Sequence, residues 1–132
     1  DQGKRKELVD KVQDVLYERR ILAGRLLEQD PESAQGHFLL GSYHFNREEH
    51  PKPQAAAEFL KAIAADPNLW DARWYLALIY YFGNNPEGAR HQLEELLKGN
   101  PGYRCADPAF PSITYTDVAD DPAIVLKDVV AK

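Results

Sequence analysis

The chain has 132 residues, of which 44% are hydrophobic and 28% charged, and its formal net charge is -5. These values indicate one folded domain, residues 1–132, and exclude a disordered tail. The charge argues against nucleic-acid binding, because the only dense basic stretch is Lys4, Arg5 and Lys6. No apolar run approaches the roughly 20 residues of a membrane span, so we expect no direct membrane insertion by this segment.

Residues 1–30 predict a long N-terminal helix, or two helices joined near Glu18. Apolar residues recur there at helical spacing for about seven turns. They are Leu8, Val12, Val15, Leu22 and Leu26, with Val9, Leu16, Ala23 and Leu27 widening the stripe. We expect the first half of this segment to overhang the domain and the second half to act as the closing helix of a degenerate repeat.

Three Asp-Pro or Asn-Pro pairs divide the middle of the chain into two units. The pairs begin at Asp30, Asp66 and Asn100, which are 36 and 34 residues apart. Because proline disfavours the helical conformation in the preceding residue, each pair should end a helix. We therefore predict repeat one over residues 31–66, with helices at 34–45 and 54–65, and repeat two over residues 67–101, with helices at 70–81 and 87–98.

Residues 102–132 predict an irregular C-terminal extension. The stretch 102–111 is rich in Pro, Gly and Ala, and residues 112–118 alternate apolar with polar side chains. Such a segment, without a partner strand, should lie against the helices. Asp121-Pro122 then opens a short helix to the end of the chain, with an apolar face.

The two units share a pattern of small, large and proline positions. In repeat one the pattern falls on His37, Leu40, Gly41, His44, Ala55, Phe59 and Pro67, and in repeat two on Arg73, Leu76, Ala77, Tyr80, Ala89, Leu93 and Pro101. This resembles the tetratricopeptide repeat (TPR), although the tryptophan of that family's pattern is lost in both units. The resemblance covers residues 31–101 and implies an all-α, TPR-like solenoid of helix-turn-helix repeats. Since two repeats are fewer than the usual minimum of about three, both flanks should cap the stack.

In that family the first helix of each unit lines a concave face that contacts a bound peptide. The resemblance therefore implies a peptide-binding groove lined by Gln35, Phe38, Ser42, Phe45, Asp71, Trp74, Leu78 and Tyr81. No Lys, Arg or Asn occurs among them, so a carboxylate clamp is not expected. Left bare, the four aromatic rings would form an unusually large apolar patch. We expect a partner's peptide or helix, a second copy of the chain, or the chain's own residues 103–118 to cover them, unless they simply form core with the flanking helices.

The residues that could carry chemistry are few. His37 and His44 share a helical face with Glu48 nearby, which leaves open a metal site, but their positions in the repeat pattern favour packing. The one cysteine, Cys105, excludes an internal disulfide. It lies beside Arg104, which could favour a thiolate, or it is a partly buried small residue. With no phosphate loop, zinc-spaced cysteines or nucleophile elbow, we expect no catalytic residue, metal or cofactor, and hence no enzyme.

These patterns predict a non-catalytic scaffold or adaptor that binds a protein or peptide in an aromatic groove. Two alternatives stay open at this point. The chain could be a metal- or ligand-binding accessory domain of a larger enzyme or envelope complex. It could also be a self-assembling repeat that forms a homo-oligomer.

Overall fold

The computed structural model describes residues 2–110 and 121–131, and regular structure within these ranges is entirely helical. The helices are α1 (Gln2–Gln29), α2 (Ala34–Arg47), α3 (Pro53–Ala65), α4 (Trp70–Phe82), α5 (Pro86–Gly99) and α6 (Pro122–Ala131). The predicted all-α class is confirmed, and the predicted helix bounds differ from the observed ones by about two residues or fewer. The extended segment predicted at residues 112–118 lies outside the described residues.

Local sequence signals account for where the helices begin and end. The Asp-Pro and Asn-Pro pairs directly follow the last residues of α1, α3 and α5, as the restriction before proline requires. The side chain of Ser33 accepts a hydrogen bond from the Gly36 backbone N–H at the start of α2. Asn85 does the same for Gly88, with Pro86 as the first residue of α5. Each cap satisfies an N–H group that the helix itself leaves unpaired.

Successive helices pack against one another along the chain, from α1 on α2 to α5 on α6. Helix α4 lies in the middle, and every residue from Ala72 to Ile79 is buried. On one side, Tyr75 and Leu76 belong to a core shared with α2 and α3. On the other, Trp74 and Leu78 belong to a second core shared with α5, α6 and Tyr103. The two sides of α4 therefore hold the described helices together.

The contact between α2 and α3 depends on a glycine. A Cβ atom added to Gly41 would lie 2.8 Å from Cε1 of Phe59, which is closer than side chains normally approach. Phe59 itself is completely buried. The small residue on α2 thus admits the aromatic ring of α3, as their places in the repeat pattern predict.

Helix α1 is a single unbroken helix instead of two joined near Glu18. Only Leu16 and Ala23 are buried on it, and all of residues 2–11 are exposed. Its first half therefore extends past the described body of the protein. In the part of the chain that the structure describes, no helix combines the length and the apolarity needed to cross a bilayer.

Candidate functional site

The eight predicted groove residues lie along one side of α2 and α4, which we call the α2/α4 face. Five of them are buried, and these are Phe38, Ser42, Phe45, Trp74 and Leu78. Asp71 and Tyr81 are half-buried, and Gln35 is exposed. The α2/α4 face is therefore largely covered by other parts of the same chain.

Two of the aromatic rings pack into the core between α2, α3 and α4. The Phe38 ring lies 5.9 Å from that of Phe59, and the Phe45 ring lies 4.8 Å from that of Tyr75. Both distances are within the usual range for aromatic pairs. These two rings mainly support the helix packing, so an external peptide could reach little of their surface.

Residues 103–110, which we call the cover segment, lie over the α4 part of the face. The ring centroids of Tyr103 and Phe110 are 6.4 Å and 6.3 Å from that of Trp74. Phe110 also approaches the Tyr75 ring, at 5.6 Å. Trp74 is consequently 0% exposed. The sequence left three possible coverings open. The chain's own segment is the one present, through residues 103–110.

A buried carboxylate anchors the centre of the cover segment. The guanidinium of Arg19 on α1 forms a bidentate ion pair with Asp107, and the Tyr75 hydroxyl donates to the same carboxylate at 2.8 Å. The side chains of Arg19 and Asp107 are only 14% and 2% exposed. Because removing one partner of a buried ion pair leaves an uncompensated charge, the pair holds the segment in one position.

Polar contacts on both sides of Asp107 complete the attachment. The Tyr103 hydroxyl donates to the Asp71 carboxylate on α4. The Asn46 side-chain amide donates to the Ala109 carbonyl at 3.2 Å. Arg19 also donates to the Ser42 hydroxyl at 3.1 Å. Groups from α1, α2 and α4 therefore converge on a segment that has no helix or strand of its own.

Burial changes the acid-base behaviour of this region. It raises the pKa of the Asp71 carboxyl above its ordinary value, and the neighbouring Asp107 charge acts in the same direction. It also raises the pKa of the Tyr75 hydroxyl, again with a contribution from Asp107. The tyrosine that donates to Asp107 is thus held in its protonated form at neutral pH.

The single cysteine is held in its thiol form. Burial raises the pKa of Cys105 to about 11. Arg104, which could have favoured a thiolate, instead donates to the Tyr103 carbonyl and reaches Asp121 at 3.3 Å. Since the thiolate is the reactive form, Cys105 is poorly suited to nucleophilic chemistry at neutral pH.

One polar atom beneath the cover segment is unsatisfied. The indole Nε1 of Trp74 is buried and has no hydrogen-bond partner among the described residues. A buried donor without a partner costs about 1–3 kcal/mol. The ring is therefore held by apolar contact alone.

The end of the α2/α4 face is covered by α6. The Tyr81 hydroxyl donates to the Asp128 carboxylate, and Val125 and Val129 are buried in the core that contains Trp74 and Leu78. The predicted short C-terminal helix therefore contributes its apolar face to this core.

His37 and His44 take part in hydrogen bonding and aromatic packing, respectively. His37 has one ring nitrogen 2.6 Å from a Glu58 carboxylate oxygen and the other 2.8 Å from the Pro31 carbonyl oxygen. The ring of His44 lies 5.6 Å from that of Tyr43. Within residues 2–110 and 121–131, no three His, Cys, Asp or Glu side chains are grouped so that they could hold a metal ion.

Sequence reasoning missed the three residues at the centre of this site, namely Arg19, Tyr75 and Asp107. A signal existed for Arg19, because it interrupts the apolar stripe of α1 at a position flanked by Val15 and Leu22. A charge at such a position indicates a buried partner. Asp107, in a stretch rich in Pro and Ala, has no comparable local signal.

Comparison of the chain with protein-family models, with curated proteins and with solved structures gives no match.

Proposed function

We propose that this protein is a non-catalytic interaction module of the tetratricopeptide type, and that its α2/α4 face receives an extended peptide. The observation that carries the proposal is the way the cover segment binds to the α2/α4 face. It has no regular structure, yet Tyr103, Asp107 and Phe110 each reach a partner in the helices. A few anchoring side chains in desolvated positions are how short segments are bound in protein interfaces.

The family part of the proposal is supported by the contacts at the pattern positions. Gly41 admits the Phe59 ring, and Ala55, Ala89 and Leu93 are completely buried. These are the positions at which the family's pattern places small or large apolar residues. Between the two hairpins, the Phe59 ring of α3 stacks on the Tyr75 ring of α4 with centroids 5.1 Å apart, as expected where neighbouring repeats bury a shared core.

The cover segment also indicates what a ligand should contain. Arg19 and Tyr75 bind the Asp107 carboxylate. Trp74 contacts two aromatic rings, one before and one after Asp107 in the chain. An external ligand would therefore carry an acidic residue between two aromatic residues. Because the cover segment belongs to the same chain, it competes at an effective concentration in the mM range, so a ligand binds only when the segment is displaced.

The test uses the full chain with the cover segment weakened by Asp107→Ala and Phe110→Ala. A fluorescent peptide with the sequence of residues 103–110 is titrated against the variant and the unaltered chain, and its anisotropy is measured. We expect the variant to bind at least about tenfold more tightly, because its own segment no longer competes.

A second peptide, with alanine in place of the residue equivalent to Asp107, serves as the matched control and should bind weakly. Circular dichroism of the variant establishes that the helices are retained. If the folded variant binds neither peptide, the α2/α4 face is only core and the proposal fails.

Self-assembly is a second candidate, because the same contacts could be made by the cover segment of another copy. Exchange of a segment between identical chains needs no new interface. Sedimentation velocity over a range of concentrations tests it, and a monomer at all concentrations contradicts it.

A further inference from the structure

The first half of α1 offers a second surface, independent of the α2/α4 face. Helix α1 has 28 residues and the helix that packs on it, α2, has 14. At about 1.5 Å of rise per residue, α1 is twice as long as its neighbour. Residues 2–11 are all exposed, and Leu16 is the first buried residue. We call residues 2–15 the overhang.

An apolar stripe runs along the overhang and into the core. Leu8, Val12 and Val15 are spaced four and three residues apart and so share a face. Val9 lies beside them, and Leu8 and Val9 are 52% and 42% exposed. The stripe continues into Leu16, which is buried. Of the nine large apolar side chains that are exposed in the described residues, five belong to α1, so exposure is concentrated on this helix.

A cleft of about 360 Å³ lies where the overhang leaves the body of the protein, at the end of α2. It is lined by Gln13, Leu16, Tyr17, Arg20, Tyr43 and Arg47. The guanidinium carbons of Arg20 and Arg47 lie 5.7 Å and 5.3 Å from the centre of the Tyr43 ring. Cation–π contact of this kind holds both arginines at the cleft.

The basic residues around the stripe and cleft lack acidic partners. Lys4 and Lys11 lie about one helical turn before and after Leu8. Neither they nor Arg20 and Arg47 form an ion pair with a carboxylate in residues 2–110 and 121–131. The surface therefore combines exposed aliphatic side chains with basic side chains that form no ion pair within the described residues, and Glu7 lies one helical turn from both Lys4 and Lys11.

The acidic residues of the overhang lie on the other side of the helix. Glu7, Asp10 and Asp14 are spaced three and four residues apart, so they share a face away from the stripe. This separation makes the stripe side basic and the back acidic. The charge on the stripe side would steer an approaching partner of opposite charge.

We propose that the overhang and its cleft dock an acidic amphipathic helix of a partner protein. The apolar side of that helix would cover Leu8, Val9 and Val12, and its carboxylates would pair with Arg20 and Arg47 at the cleft. A second copy docking through the same stripe is disfavoured, because it would bring Lys4 and Lys11 against their own equivalents. An anionic membrane is disfavoured because the acids on the back of the helix would remain near its surface.

The probe is a synthetic amphipathic peptide of about 18 residues, with leucines at helical spacing flanked by glutamates. Its affinity for the full chain is measured by isothermal titration calorimetry. We expect Arg20→Glu combined with Arg47→Glu to weaken binding by about tenfold or more. Arg25→Glu, on the acidic side of the same helix and also exposed, should change it by less than about twofold.

A second pair of variants tests the apolar stripe without changing charge. Val9→Ser should weaken peptide binding by about threefold or more, since it removes an aliphatic contact. Ile21→Ser is the control, because Ile21 is equally exposed at 41% but lies off the stripe. Melting curves establish that all variants remain folded.

Several results would overturn the proposal. These are equal affinity for a peptide with lysines in place of the glutamates, and unchanged affinity in the Arg20 and Arg47 variant. Sedimentation with phosphatidylserine vesicles in the absence of peptide binding would assign the surface to a membrane instead. Concentration-dependent self-association that Val9→Ser abolishes would assign it to a second copy.

Discussion

The Lys52 side chain satisfies backbone carbonyls at the C-terminal end of α2. The residue lies in the turn between α2 and α3, with its backbone in the left-handed region at φ 52°. Its ammonium group donates to the Phe45 and Glu48 carbonyls and lies 4.8 Å from the centre of the Phe45 ring. Burial lowers the pKa of this ammonium, which is the cost of satisfying the last carbonyls of α2.

The burial of Asp71 predicts how the stability of the protein depends on pH. Since burial raises the pKa of its carboxyl in the folded protein, the folded state holds this proton more tightly than the unfolded state does. Stability is therefore lost as pH rises from the unfolded pKa through the folded one. Asp71→Asn keeps an acceptor for the Tyr103 hydroxyl but cannot ionise.

We expect Asp71→Asn to raise the free energy of unfolding at pH 7 and to have a progressively smaller effect as pH falls toward the ordinary carboxyl pKa of about 4. Urea denaturation at a series of pH values measures this difference. A variant that is less stable than the unaltered chain at pH 7 would show that the Asp71 charge is itself stabilising, through the Tyr103 hydrogen bond and the Arg19 charge.

At the scale of elements, two glycines in helix interiors should respond oppositely to the same substitution. A Cβ at Gly41 would meet the Phe59 ring, whereas one at Gly24 would meet nothing within 4 Å. Alanine is the better helix former by about 0.5–1 kcal/mol. Gly24→Ala should therefore stabilise by about that amount, while Gly41→Ala should destabilise by about 1–3 kcal/mol through overpacking.

Chemical denaturation of the two glycine variants gives the comparison directly. Because both changes add one methyl group inside a helix, propensity alone predicts that both stabilise the protein. Stabilisation by Gly41→Ala would mean that α2 and α3 are less closely packed than the structure describes.

At the scale of the whole molecule, Trp74 joins α4, α5, α6 and the cover segment. Because it is completely buried, Trp74→Ala should lower the free energy of unfolding by about 3–5 kcal/mol. Trp74→Phe is the control and should cost much less, since it keeps a ring and removes the unpaired indole N–H. A loss below about 1 kcal/mol for Trp74→Ala would mean that the face is open in solution.

Much of the fold could be predicted because its signals are local. Proline after Asp30, Asp66 and Asn100 marks the helix ends, and the apolar period marks the length of α1. Caps such as Ser33 involve residues only about three positions away. Because these signals involve residues close together in the chain, the helix ends can be predicted without knowing the positions of distant residues.

The candidate site was only partly predictable. The aromatic residues of α2 and α4 were identified from their repeat positions, but the division of their rings between two cores was not. Phe38 and Trp74 occupy equivalent positions in the two repeats, and only the position of α4 between its neighbours sends the Phe38 ring toward α3 and the Trp74 ring toward the cover segment. Packing of this kind is decided by shape and volume across several helices.

The sequence by itself determined the all-α class and the helix bounds to within about two residues, and it raised the question of what covers the aromatic residues of α2 and α4. Only the tertiary structure decided what the cover is. Arg19 and Asp107 are 88 residues apart, and neither carries a local sign that the other is its partner. The physical reason is that a buried ion pair exists only once the surrounding helices exclude water from both charges.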